Sequence, residues 1–322
     1  MKPAVRILSP GLCLTVQDLG RFGGRHLGVP PSGAVDDYAH RVANWLVGNH
    51  AACATLETTM CGPRIEWLIK ADIAITGAEM GVLLNGTTQR QWASLPVAPG
   101  DVLEMGYAVN GCRGYIALTG GIVVPEVMGS RSTCLGGRLG GLAGRCLATG
   151  DLLPGTCRSL LAGPRHLPWT PVYPEHHILR AIAGPHDDLF RGCLDRFFGT
   201  KFTVSPQSDR MGCRLSGPAV EPDTSASVSI VSEPVAPGNV QIPADGRPIL
   251  LLREQTLGGY PSIATVISAD LWRVGQARPG DTVRFVRVGL AEGQCIAGQW
   301  RDFLDQTERL LAAGQPFAPC VD

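Results

Sequence analysis

The chain has 322 residues, 44% hydrophobic and 17% charged, with 28 basic side chains against 28 acidic ones. A net charge of zero leaves no electrostatic footprint for nucleic acid or an anionic membrane surface, and no apolar run reaches the roughly 18 residues that span a bilayer. Glycine (41) and proline (25) are dense enough to break long helices, so the composition predicts a mainly β protein of short strands and tight turns, long enough for two domains.

From the start of the chain, Val5-Arg6-Ile7 meets Pro10-Gly11 before a signal-peptide core can form. The cysteines are odd in number (11), irregularly spaced and without a Cys-x-x-Cys pair, and most, such as Cys13, Cys53 and Cys193, sit among apolar or small residues. The expectation is a reduced, cytoplasmic protein. Leu12, Leu14 and Val16 alternate with Cys13, Thr15 and Gln17, the period of a half-buried strand. The run from Gln17 to Asp36 then carries five glycines together with Asp18, Arg21, Ser32 and Asp36. Glycines let backbone approach a ligand, and the polar groups offer acid, guanidinium and hydroxyl. The same run also reads as a turn-rich connection in which Asp18 pairs with Arg21. Asp36 reads as the cap of a helix over residues 36–48, where Tyr38, Val42, Trp45 and Leu46 share one face and Gly48-Asn49 is the stop. His26 reads as a loop histidine, with no second His or Cys at metal spacing, and no metal site is expected.

Short apolar runs between turn signals predict strands at Ile73–Ile75, Val102–Met105, Tyr115–Leu118, Ile249–Leu252 and Val283–Val288, with short helices near Asp187–Phe198, Ala269–Gln276 and Gln299–Ala313, the last stopped by Gly314. Gly120-Gly121-Ile122, Gly129 to Thr133 and Gly136 to Arg145 interleave glycine with arginine, which suits an anion nest or an exposed loop; no dinucleotide fingerprint is present. The Pro-rich stretch 163–175 reads as a linker between domains at 1–162 and 176–322. An echo links the halves, Pro99-Gly100-Asp101 before one strand and Pro279-Gly280-Asp281 before another; duplication and chance both account for it.

Two further clusters follow. Ser208 to Leu215 contains Asp209 and Arg210; the second runs from Ser232-Glu233 through Gln241 to Gln255-Thr256-Leu257-Gly258-Gly259-Tyr260-Pro261. Such charges usually pair on a surface, but Gln241, Gln255, Thr256 and Tyr260 add the neutral donors that a small polar amide requires, and Asp209 or Glu233 can serve as acid or base. No Gly-x-Ser-x-Gly nucleophile motif occurs. Lysines occur only at Lys2, Lys70 and Lys201, outside any P-loop frame, so nearly all the basic residues are arginine. Any ATP site is therefore of another kind or shared with another subunit.

In order along the chain, Gln17 to Gly20, Ser32-Gly33-Ala34, Ser130 to Thr133, Ser208 to Gly212 and Gly258 to Pro261 resemble the allophanate-hydrolase-subunit-2-like family. That family is also described as biotin-dependent carboxyltransferase-like proteins and as the C-type subunit of 5-oxoprolinase. The resemblance implies two tandem cyclophilin-like β-barrel domains with a few short helices. It implies a homologous subunit-1-type partner, an active site at or near their interface, and a third oxoprolinase component. The implied reaction is ATP-driven opening of the 5-oxoproline lactam to glutamate. Carried onto this sequence, the catalytic set is Asp18, Arg21, Asp209, Arg210 and Glu233. The substrate-binding set is Ser32, Ser130, Arg131, Ser132, Gln241, Gln255, Thr256, Gly258, Gly259 and Tyr260. Two other activities fit the same resemblance: a carboxyltransferase-like component acting on urea or another small amide, and a non-catalytic regulator that binds a subunit-1-like kinase inhibitor. The chain has no Met-Lys-Met motif for covalent biotin. It departs from the family pattern at Val123 and Arg253-Glu254, where the family has Asp and Asp-Arg, and at Glu79, where Asp is usual; these departures bear on the substrate.

Overall fold

A computed structural model describes residues 2–156, 160–223 and 229–313. The chain divides into two compact units. The first takes in the residues up to Phe22, Ser32–Tyr173 and the chain from Asp302; the second takes in Gly23–Pro31 and Pro174–Arg301.

In the first unit the elements are β1 (Pro3–Ser9), β2 (Leu14–Gln17), α1 (Asp37–Leu46), β3 (Thr55–Thr59), β4 (Arg64–Trp67), β5 (Ala71–Glu79), β6 (Val82–Leu84), β7 (Thr87–Gln89), β8 (Ala93–Val97), β9 (Val102–Met105), β10 (Asn110–Leu118) and β11 (Leu152–Pro154). They form a six-stranded sheet, β11-β1-β4-β9-β6-β7, and a five-stranded sheet, β2-β3-β10-β5-β8. Val5, Ile7, Ile65, Trp67 and Leu103 from the first meet Val16, Leu56, Ile73, Ile75, Ile116 and Leu118 from the second in one apolar core. Helix α1 covers the other face of the five-stranded sheet, packing on β5 and β10. That sheet is therefore enclosed on both sides, which is why nearly every residue of β5 and β10 is buried. The same enclosure corrects the half-buried reading of β2. All four of its residues are buried, and Gln17 Nε2 donates inward to Thr133 O (3.1 Å) and Thr15 Oγ1 (3.1 Å), while its Oε1 is buried without a partner among the described residues. Asp36 caps α1 as the sequence predicts, its Oδ1 accepting from Ala39 N at 2.9 Å.

In the second unit, β12 (His176–Ala183), α2 (Leu194–Gly199), β13 (Lys201–Val204), β14 (Gly212–Ser216), β15 (Glu233–Pro234), β16 (Asn239–Gln241), β17 (Ile249–Leu251), β18 (Leu257–Gly258), β19 (Ser262–Val266), α3 (Leu271–Val274) and β20 (Thr282–Arg287) follow in order, and α4 (Leu290–Ala313) begins here, its residues from Asp302 belonging to the first unit. Seven strands close a barrel, β12-β19-β16-β17-β14-β13-β20, shut by the parallel pairing of β12 with β20. Closure removes exposed edges. Phe197 stacks on Phe285 (4.9 Å between centroids) and both lie within about 6 Å of Phe202. Each buried ring contributes about 1.5–3 kcal/mol through lost apolar surface. Strands β15 and β18 form a separate two-stranded ladder with Glu233 opposite Gly258.

All five predicted apolar runs coincide with strands, two of them running one residue past the strand end, at Leu252 and Val288. The predicted helices are broken differently. Asp187–Phe190 and Ser268–Asp270 are tight 3-10 turns leading toward α2 and α3. The last helix begins at Leu290 rather than Gln299, because Gly293 does not stop it: a side chain there would come within 3.1 Å of Ile267, so packing favours glycine. The proposed stop at Gly314 lies outside the described residues. The Pro-rich stretch packs onto the first unit, with Leu167 buried and its N–H donating to Trp92 O at 2.8 Å.

The echo between the halves has a shared construction. Asp101 accepts from Ala98 N (2.7 Å) and returns its own N–H to Ala98 O (3.1 Å); Asp281 does the same with Arg278 N (2.9 Å) and Arg278 O (3.0 Å). The glycine before each lies in the left-handed region, φ 93° at Gly100 and 95° at Gly280, where a side chain is strained. Ala148-Thr149-Gly150-Asp151 builds the turn a third time, before β11. A turn used three times is weaker evidence for duplication than one used twice.

Candidate functional site

The predicted site residues fall into two groups, one in each unit. In the first unit, Asp18 follows β2 and turns its carboxylate toward the segment 130–132. Oδ1 accepts from Gly20 N (2.8 Å), Ser130 Oγ (2.7 Å) and Ser132 Oγ (2.5 Å), and Oδ2 accepts from Arg131 N (2.6 Å). Burial pushes this carboxyl group up, but the donors from Ser132, Ser130, Arg131 and Gly20 outweigh it and hold it below the ordinary carboxylate value. Arg21 does not pair with Asp18. Its guanidinium is buried and donates to the carbonyls of Val127 (3.4 Å) and Ser132. Asp18 thus takes the N–H and O–H groups of this segment while Arg21 takes its carbonyls. Arg131 turns outward to Val124 O (3.1 Å) and Glu126 (2.7 Å). Ser32 is buried at φ 52°. The adjoining Gly136–Arg145 loop is folded rather than open, with Cys134 and Leu139 bridged and Gly141 N donating to Arg131 O at 3.0 Å. Asp18 and the 130–132 segment form a fastening, whereas Arg21 Nη1 and Ser32 Oγ are buried without a hydrogen-bond partner among the described residues.

Beside it lies a buried network that the sequence reading missed. Tyr115 Oη donates to Glu57 Oε2 (2.7 Å) and accepts from Asp36 N (2.9 Å), and Tyr173 Oη donates to Asp36 Oδ2 (3.1 Å). Burial, then the carboxylates of Glu57 and Asp36, push the Tyr115 hydroxyl far above its usual value. These residues come from four distant segments, so no spacing in the sequence announced them. His40 is enclosed as well, and burial lowers its imidazole to a pKa of about 4. Its Nε2 faces Ala51 O at 2.9 Å and so carries the proton.

In the second unit, Asp209, Gln241, Gln255, Gly258, Gly259 and Tyr260 line one cavity of about 390 Å³, together with Arg214, Asp245 and Arg247, which the sequence reading did not single out. A volume of this size suits a small-molecule site. Asp209 Oδ1 accepts from Met211 N (2.8 Å) and Gly212 N (3.1 Å), which leaves Oδ2 without a partner among the described residues. Gln241 Nε2 donates to Tyr260 O (3.0 Å), which fixes the orientation of the amide. Gly258 lies flat against it, and a β-carbon at that position would come 2.2 Å from Gln241 Nε2. Thr256 supports the wall through its backbone, Val235 N donating to Thr256 O at 3.0 Å.

Of the three predicted catalytic residues in the second unit, Arg210 and Glu233 do not line this cavity. Arg210 is committed to a buried ion pair, Nε to Glu254 Oε1 at 2.7 Å. Of the departure at Arg253-Glu254, the acid is thus the buried partner of Arg210. Glu233 stands in the β15–β18 ladder with Oε1 3.8 Å from His186 Nδ1. Val123 is held by its backbone, N–H to Pro154 O at 2.9 Å. Glu79 is on the lining of a second cavity, about 410 Å³, in the first unit with Arg90, Trp92 and Asn110. That cavity gathers none of the predicted site residues.

The fold is thus a closed seven-stranded barrel bearing a polar cavity, together with a β unit of two packed sheets. Residues 27–287 match the family described as Carboxyltransferase domain, subdomain A and B, and the chain belongs to that family. It is 38% identical to the C-type subunit of 5-oxoprolinase from Escherichia coli (strain K12), over 89% of this chain and 92% of that protein. It is 37% identical to the urea amidolyase of Lachancea kluyveri, over 97% of this chain and 18% of that protein. The crystal structure of the K. lactis urea amidolyase superposes with a TM-score of 0.87 at 33% identity, covering 95% of this chain and 20% of that one. The chain therefore spans about a fifth of the urea amidolyases it matches.

Proposed function

We propose that this chain is a subunit of an ATP-dependent 5-oxoprolinase, opening the 5-oxoproline lactam to L-glutamate with a subunit-1-type partner and a third component. The observation that carries the reading is the cavity of the second unit. Six of the residues picked out by motif line it, and its groups suit a cyclic amide: Gln241 Oε1, without a partner among the described residues, to accept the lactam N–H, and Gln255 and Tyr260 to donate. A relative that this chain covers over 92% of its length is a 5-oxoprolinase subunit, which supports the same choice.

In this reading Asp209 is the acid–base group, because its Oδ2 remains available while Oδ1 is fixed by the turn. Gln241 orients the lactam, and its own orientation is set by Tyr260 O and the flat face of Gly258. ATP transfers its γ-phosphoryl group to the lactam oxygen and leaves as ADP. Water adds to the activated carbon, the C–N bond breaks to free the amine, and hydrolysis of the resulting acyl phosphate gives L-glutamate and phosphate. The arginines on the cavity wall suit phosphate or carboxylate oxygens, and in this reading the rest of the nucleotide site is shared with the partner. Asp18 and Arg21 act in this reading by holding the 127–133 segment rather than by touching substrate.

The likeness to the urea amidolyase structure favours a second reading, a carboxyltransferase-like component acting on urea. Purification of this chain with its partner and third component, followed by assay of ATP-dependent glutamate release, separates them. Glutamate release from 5-oxoproline, lost in Asp209→Asn, supports the first reading. A verified complex with no glutamate release sinks it; urea-stimulated ATP use with a biotin carrier supports the second. A tight heteromer that turns over no amide supports a regulatory role.

A further inference from the structure

The cavity carries a feature that separates the two substrates its relatives name. Strands β14 and β17 pair antiparallel, with Gly212 opposite Leu251 and Arg214 opposite Ile249. Pairing continues one step further, Leu215 N donating to Pro248 O at 2.9 Å. Side chains two apart on a strand share a face, so Arg247, Ile249 and Leu251 point the same way as Gly212, Arg214 and Ser216, and all six line the cavity. Arg214 and Arg247 are thus diagonal neighbours, a spacing of about 7–8 Å that long side chains bridge. On the far side of Ile249, in the same row, stands Gln241 of β16. Two strand spacings, about 10 Å, separate the arginine from the amide across that row.

The bonding state of these groups matters more than their nearness. The guanidinium groups of Arg214 and Arg247 make no hydrogen bond or ion pair with the described residues. The two cavity carboxylates are partly committed instead, Asp209 Oδ1 to its turn and Asp245 Oδ1 to Arg247 N (3.1 Å). Arginine forks bind carboxylates in two-point fashion. We infer that Arg214 and Arg247 form a carboxylate clamp that makes this cavity select a small amide bearing its own carboxylate over a neutral one such as urea. The carboxylate sits between the two guanidinium groups while Gln241 Oε1 accepts the amide N–H from the other end of the row. Urea fills the Gln241 end and leaves both arginines unmatched. The inference rests on the 5-oxoproline reading for the identity of the amide.

The test compares 5-oxoproline with 2-pyrrolidinone, the same lactam without the carboxylate, and with urea. Binding is measured on the full chain by ligand-observed NMR and calorimetry, and KM is measured in the assembled complex. The expected result is that 5-oxoproline binds at least roughly tenfold more tightly than the two neutral amides. Arg214→Gln and Arg247→Gln each weaken 5-oxoproline roughly tenfold while leaving 2-pyrrolidinone unchanged, and Arg→Lys at either position restores part of the loss. Both positions are exposed, so unchanged thermal unfolding of the variants verifies the fold. Equal affinity for 5-oxoproline and 2-pyrrolidinone overturns the inference. So does a preference that survives in the double Gln variant, or the absence of 5-oxoproline binding by both chain and complex. The two proposals fail separately. A complex that prefers 5-oxoproline through these arginines yet releases no glutamate keeps the clamp and loses the function. Undiminished glutamate release by the double variant keeps the function and loses the clamp.

Discussion

Asp18 and Asp209 each stand within three residues of an arginine in a family motif, yet the structure uses them in opposite ways. Asp18 is buried and receives four donors. Asp209 is exposed, spends one oxygen on a turn and leaves the other to the cavity. The arginines differ in the same sense. Arg21 and Arg210 are closed in by carbonyls and by Glu254, whereas Arg214 and Arg247 keep their guanidinium groups for something else. A dense polar motif is therefore no measure of chemistry. Chemistry falls where polar groups are left unsatisfied beside open space, and stability falls where they satisfy one another.

The largest expected effect breaks this comparison if it fails. Asp18→Ala orphans several buried donors and is expected to cost about 3–5 kcal/mol of stability, while Asp209→Ala costs about 1 kcal/mol, the value of a lost cap. Urea unfolding of the two variants measures both, and similar losses would erase the distinction between fastening and site.

Next is the acid sensitivity of the first unit. His40 has a pKa of about 4 when folded and about 6.5 when unfolded. Below the higher value the unfolded chain binds a proton that the native state excludes, so stability falls as pH drops through that window, by about 3 kcal/mol in all. Asp18 acts lower. Its folded pKa lies below 3.8, so the stability it adds is present above the unfolded value and is lost as pH falls through the folded one. Unfolding midpoints measured across this range in the wild type and in His40→Gln check the assignment, since the variant is expected to flatten only the upper part.

Gly258→Ala sharpens the account of the cavity. The added carbon meets Gln241, and the displaced amide is expected to raise KM roughly tenfold, with at most about 1–3 kcal/mol of overpacking cost. Steady-state assay of the complex reads the first and thermal unfolding the second. The smallest effect is a control. Arg64→Ala removes an exposed pair with Glu104 (3.1 Å) and is expected to change stability by less than about 1 kcal/mol and to leave KM unchanged.

The sequence by itself determined the mainly β character, the five strand cores, the α1 helix with its Asp36 cap and the order of the family motifs. Those features depend on neighbours in the chain: apolar periodicity, turn residues and a capping side chain act over a few positions. It also reached the cavity in part, since Gln241, Gln255, Gly258, Gly259 and Tyr260 lie in one stretch. Tertiary structure alone decided which charged residues remain available. The partner of Arg210 is Glu254 and not Asp209 beside it, and Asp18 bonds to Ser130 and Ser132, far along the chain, and not to Arg21. Arg214 and Arg247 line one cavity wall only because the register of β14 against β17 sets them diagonally on one face. Burial and cross-strand register are properties of the folded sheets, and no local pattern encodes which of two nearby arginines the fold will enclose.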